Sequence, residues 1–93
     1  MDTKQELSLL RGEIDAIDRE LVALFERRMA VGARVGEAKK AAGIVVLDEA
    51  RERQVIENAL RLSAPENHAA VTAFMRNLME LSKTRQQTQA KES

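Results

Sequence analysis

The chain has 93 residues, with fifteen Lys and Arg balanced by fifteen Asp and Glu, no Cys, and His68 as its one histidine. That length allows one domain, and zero net charge offers no basic field to nucleic acid or an anionic membrane. The missing thiols exclude disulfides, Cys-ligated zinc and thiol catalysis, and a lone histidine excludes a multi-His metal site.

No apolar run approaches the ~18 residues of a membrane span, and the first residues lack the apolar core of a signal peptide, so a cytoplasmic protein is expected. Aromatics are nearly absent, with Phe25 and Phe74 alone. Ala, Leu, Glu, Arg and Lys are abundant, which favours an all-α fold.

The first helix is expected from about Glu6 to Ala41 or Ala42, ended by Gly43 as its C-cap. Leu7, Leu10, Ile14, Ile17, Leu21 and Leu24, then Val31, Val35 and Ala38, alternate by three and four along it. That is the seam of a helix packed lengthwise on partners. Such a helix is ~55 Å long at 1.5 Å per residue, whereas a globule of this size is only ~30 Å across. One protomer cannot cover it, so an intertwined C2 homodimer is expected. Arg28 occupies the seam between Leu24 and Val31, and Lys39 falls ~20° away around the helix. A cation on a seam is costly unless an anion meets it, so the pair marks an anion pocket. Gly32 and Gly36 between them clear space for a ligand or a close helix.

Gly43 to Leu47 reads as a short extended loop. Asp48 is the expected N-cap of a second helix reaching about Leu62, with Glu49 and Glu52 in its first turn. Ser63-Ala-Pro-Glu66 matches a capping box for a third helix, with Ser63 at the cap and Pro65 in the first turn. His68 is expected to be exposed there. Val71, Phe74, Met75, Leu78, Met79 and Leu81 supply the apolar side. From Gln86 the helix is expected to fray into a polar tail, giving one domain over 1–93 with a core of about 6–88 and a tail of 88–93.

Along the third helix the stripe of Met75 and Met79 continues as Ser82 and Gln86, one turn apart. On the second, Asp48, Arg51 and Glu52 crowd an N-terminal turn whose free N–H groups favour polar and anionic ligands. With Arg28 and Lys39, three helices each offer polar groups to one cavity. Arg11 lies ~25 Å before Arg28 and ~42 Å before Lys39 on the same helix. It reaches such a cavity only in an antiparallel dimer, from the partner.

The series Arg11, Arg28, Val35-Gly-Glu-Ala-Lys39, Asp48-x-x-Arg51-Glu52, Ser82 and Gln86 resembles the all-helical chorismate mutases, from about Leu7 to Gln87. The resemblance implies an intertwined dimer of three-helix protomers and the Claisen rearrangement of chorismate to prephenate, in phenylalanine and tyrosine synthesis. It assigns Arg28 and the partner's Arg11 to the two substrate carboxylates. Lys39 and Gln86 would donate to the ether oxygen as negative charge grows on it. Glu52 and the turn around Arg51 would hold the ring hydroxyl, Asp48 would orient Lys39 and that hydroxyl's surroundings, and Ser82 would assist at a carboxylate. A pericyclic reaction needs no nucleophile, metal or cofactor, only restraint of the reactive shape and donors aimed at developing charge. Some members of the family carry Glu in place of Gln86, and such a Glu must be protonated to donate. The amide of Gln86 donates at any pH, so activity should persist from acidic to mildly alkaline conditions. Many relatives also carry a Pro in the loop that here reads Gly43-Ile-Val-Val-Leu47.

Each residue also has a plainer reading. Arg28 would serve as a structural salt-bridge partner, and Lys39 as a solvated lysine at a helix C-terminus. Arg11, Arg51 and Glu52 would be surface charges, Asp48 only a cap, and Ser82 and Gln86 the polar end of a fraying helix. At the level of function, an isochorismate-pyruvate lyase shares the scaffold, and a non-catalytic dimeric helical module is the other alternative. A mutase that needs a partner enzyme of the shikimate pathway is also compatible with this chain.

Overall fold

A computed structural model describes residues 2–91. Three helices appear in chain order: α1 (Thr3–Ala42), α2 (Glu49–Leu62) and α3 (His68–Lys91), with a 3-10 turn at Pro65–Asn67 leading into α3. The fold is all-α. None of these helices is long and apolar enough to cross a membrane. The chain divides into two units, Met1–Val31 and Gly32–Ser93.

In the first unit, α1 opens three residues earlier than expected. The Asp2 carboxylate accepts from the Gln5 backbone N–H at 2.8 Å, and the Gln5 side chain accepts from the Asp2 N–H at 3.1 Å. This reciprocal pair is a capping box, with Asp in place of Ser or Thr and Gln three residues on. Beyond it, Leu7, Leu10, Ile14, Ile17, Leu21 and Leu24 are all exposed, by 44–55 %. Phe25, Arg28 and Met29 are half-buried. Among the described residues of either unit no apolar side chain is buried.

The second unit begins with the last turns of α1. They end at Gly43 (φ +70°), where the Ile44 N–H bonds the Lys39 carbonyl at 2.8 Å and the Gly43 N–H bonds that of Lys40 at 3.2 Å. These two bonds make a Schellman motif, and the positive φ is the reason for glycine. The expected cap of α2 is present: the Asp48 carboxylate accepts the Arg51 backbone N–H at 3.0 Å. α2 then packs along α3, with Val55, Ile56 and Leu60 half-buried on one side and Val71, Met75, Leu78 and Met79 on the other.

Two expectations at the third helix are overturned. Ser63 does not cap it. Ala64, preceding Pro65, is held extended (φ −67°, ψ 143°) as a residue before proline must be, and it becomes the cap of the 3-10 turn without a side-chain bond. Ser63 instead closes α2, its backbone N–H and its hydroxyl both donating to the Leu60 carbonyl at 3.3 Å. His68 is half-buried rather than exposed, with Nε2 3.2 Å from the Ser63 carbonyl. Nor does α3 fray at Gln86: it stays helical to Lys91, because its end is packed on α1. The last part of the expected tail, residues 92–93, lies outside the described residues.

Candidate active site

The glycines of α1 explain how α3 comes close. A Cβ at Gly32 would lie 2.7 Å from Ser82 Oγ, and one at Gly36 would lie 2.9 Å from Gln86 Cγ. Real Cβ atoms do not approach so closely, so the two side chains occupy space that only glycine leaves. Close helix contact is one of the two uses expected for these glycines. Gln86 is thereby buried, with 8 % exposure, and is the buried residue of α3. Its Nε2 donates to Ser82 Oγ at 3.2 Å. A primary amide nitrogen carries two hydrogens, so one N–H remains beyond that bond.

Lys39 lies at the end of α1, half-buried. Its Nζ donates to the Val46 carbonyl at 2.7 Å, while its own carbonyl accepts from Ile44. The lysine thus ties the connecting loop to the helix at two points, and an ammonium with three donors keeps two in hand. The carboxylate of Asp48 is engaged in the α2 cap. Arg51 supplies the capped N–H and sends its guanidinium to Gln54 Oε1 at 2.7 Å. Glu52 faces α3, 3.9 Å from Lys83 Nζ, and Lys83 also holds Glu80 at 3.0 Å. The hydrogen bond to Glu80, reinforced by the charges of both carboxylates, raises the Lys83 pKa above the ordinary lysine value. Glu52 lines an open groove of about 600 Å³ beside Ile56, Met79 and Lys83.

The second unit thus brings Ser82 and Gln86 together over Gly32 and Gly36, ties Lys39 to the loop, and joins Asp48 to Arg51 through the cap. In the first unit, Arg28 is half-buried and Arg11 exposed. Among the described residues no cluster of three or more His, Asp or Glu is arranged to hold a metal. Sequence reasoning missed the Val46 carbonyl, which no residue type signals. It also missed Lys83, although the i,i+3 spacing from Glu80 was legible.

Comparison with known proteins gives this arrangement a context. The family model for chorismate mutase type II matches residues 10–87. The intracellular chorismate mutase of Mycolicibacterium smegmatis is 33 % identical over 82 % of this chain and 73 % of its own. The bifunctional chorismate mutase/prephenate dehydratase of Aquifex aeolicus is 41 % identical over 63 % of this chain, a stretch that makes up 16 % of that longer protein. The 4-amino-4-deoxychorismate mutase of Streptomyces venezuelae is 31 % identical over 87 % of this chain and 77 % of its own. With the family model spanning most of its length and relatives above 30 % identity along more than two thirds of theirs, this chain belongs to the chorismate mutase type II family.

Proposed function

We propose that this chain is a chorismate mutase domain that converts chorismate to prephenate by a Claisen rearrangement, for phenylalanine and tyrosine synthesis in the cytoplasm. The observation that carries the reading is Gln86, a buried amide donor fixed by Ser82 against two glycines. A helix interior spends glycine, at ~1 kcal/mol each, to admit it. The reaction breaks one C–O bond as a C–C bond forms in the same step, so the protein moves no proton. Its task is to hold the substrate folded and to meet the charge that grows on the ether oxygen. Gln86 and Lys39 donate to that oxygen, each having an N–H beyond its structural bond. Arg28 and the partner's Arg11 take the two carboxylates, where guanidinium forks bind in bidentate fashion. Glu52 and the Arg51 turn hold the ring hydroxyl. Asp48 fixes the start of α2, and Ser82 orients the Gln86 amide and assists at a carboxylate. An acceleration of ~10⁶ requires ~8 kcal/mol of transition-state stabilisation, within reach of two charge-assisted donors and conformational restraint.

The dimer belongs to this proposal. The apolar stripe from Leu7 to Leu24 is exposed, and a second copy is its natural cover under C2 symmetry. A partner enzyme of the same pathway is compatible with the reading. The test follows the loss of chorismate absorbance in the ultraviolet, with Arg28→Ala alongside. Turnover that falls by about 10²-fold or more in the variant supports the site, since one charged contact to the reacting dianion is worth that much. A folded dimer that leaves chorismate untouched both alone and with a shikimate-pathway enzyme added refutes the assignment.

A further inference from the structure

We infer that Gln89 is a positioning residue for Gln86, clamping the last turn of α3 onto α1 so that the Gln86 amide is held at a fixed angle. This rests on the proposed role of Gln86 as donor to the ether oxygen. Gln89 lies two residues beyond the segment shared with the family, 10–87. Its surroundings are those of a built contact rather than of a fraying tail.

Three observations converge on it. Gln89 Nε2 donates to the Ala33 backbone carbonyl at 3.3 Å. Its own backbone carbonyl accepts from Lys40 Nζ at 3.2 Å, a cation placed on an end carbonyl of α3, where the helix dipole favours it. Its Oε1 is buried without a hydrogen-bond partner, and a Cβ at Gly36 would stand 2.6 Å from it. The amide of Gln89 therefore lies against the backbone of α1 at Ala33 and Gly36. It shares Gly36 with Gln86, whose Cγ and Cβ would meet the same added atom at 2.9 and 3.3 Å. Residues three apart are neighbours on a helix face, so the two glutamines form one layer over one glycine. A last helical turn normally frays. Here Ala33 and Lys40, seven residues apart on α1, hold it from two sides. An unpartnered buried oxygen is unfavourable, which fits a residue kept in place by the contacts on either side of it.

The experiment measures kcat and KM for chorismate in the full chain for wild type, Gln89→Met, Gln89→Glu and Gln86→Ala, between about pH 4.5 and 8, a range spanning carboxyl titration. Circular dichroism at the assay temperature reports the folded fraction. Gln89→Met keeps the length of the side chain and loses the donor. Its kcat should fall about tenfold at unchanged KM, because a small misplacement of a catalytic donor is costly in rate. Gln89→Glu cannot donate to Ala33 while ionised and can when protonated. Its kcat should climb toward wild type as the pH falls, with no such climb in wild type, a recovery that a purely structural role does not produce. The inference is overturned if both Gln89 variants keep wild-type kcat, if activity falls only with the folded fraction, or if acid fails to restore Gln89→Glu. Gln86→Ala separates the two levels. If it loses activity while the Gln89 variants do not, only the positioning role fails; if it is fully active, the role of Gln86 fails and this inference with it.

Discussion

Gly32 and Gly36 sit one turn apart on α1, yet an alanine at each should have a different effect. At Gly36 the added Cβ would meet Gln89 Oε1 at 2.6 Å and Gln86 Cγ at 2.9 Å. Two side chains would have to retreat, at ~1–3 kcal/mol for overpacking, against ~1 kcal/mol gained in helix propensity. Gly36→Ala should lower the midpoint of chemical unfolding and kcat together. At Gly32 the atom in the way is the Ser82 hydroxyl, at 2.7 Å, which escapes by rotating about one bond. Rotation removes the acceptor that orients Gln86, so Gly32→Ala should leave the unfolding midpoint nearly unchanged and still reduce kcat. A variant with full turnover would sink the idea that Ser82 orients this amide. Lys83 has its pKa raised by Glu80 and Glu52, so the stability it contributes is complete below the ordinary lysine pKa and is lost as the pH rises through the raised value. At neutral pH that contribution is constant. With an amide as donor, the profile of kcat against pH should be flat from about 5 to 8, the window in which a carboxyl donor would lose its proton.

Among the elements, α2 depends on Asp48 for its first turn. Asp48→Ala should cost about 1 kcal/mol through the lost cap, and should also loosen the Arg51–Glu52 turn, so that KM rises as the unfolding midpoint drops. At the other end of the same loop, Gly43→Ala forces an L side chain into φ +70°, at roughly 1–2 kcal/mol. Both positions were legible in the sequence because caps are local: Asp before an apolar run and Gly after one each mean something within four residues. The start of α1 carried an equally local signal in Asp2 and Gln5 that the apolar pattern alone pushed to Glu6. Ser63 misled because the box Ser63-Ala-Pro-Glu66 was read without the effect of Pro65 on Ala64, which turns the chain one residue later. The end of α3 was illegible for a different reason. Nothing between Gln86 and Lys91 is apolar enough to announce burial. What holds it, Ala33, Gly36 and Lys40, lies some fifty residues earlier in the chain. The site residues were read from their order and spacing; the bonds that Lys39 donates to the Val46 carbonyl and Gln86 donates to Ser82 span only seven and four residues, but no residue type specifies them.

For the whole molecule the governing fact is that no apolar side chain among the described residues is buried, although 44 % of the chain is hydrophobic. A second copy, as proposed above, supplies the missing cover, and the thermal midpoint should then rise with protein concentration. Ile17→Asp, in the middle of the exposed stripe, should yield monomers by sedimentation equilibrium with reduced helix content. A well-folded monomer with wild-type turnover would refute the dimer. The uncovered stripe also bears on supply. A newly made chain presents Leu7 to Leu24 to whatever it meets first, and chaperones and proteases recognise such surface. On the proposed dimer, with unpaired chains removed, the amount of working enzyme at low expression would follow the square of the amount synthesised, and halving synthesis would remove three quarters of the catalyst.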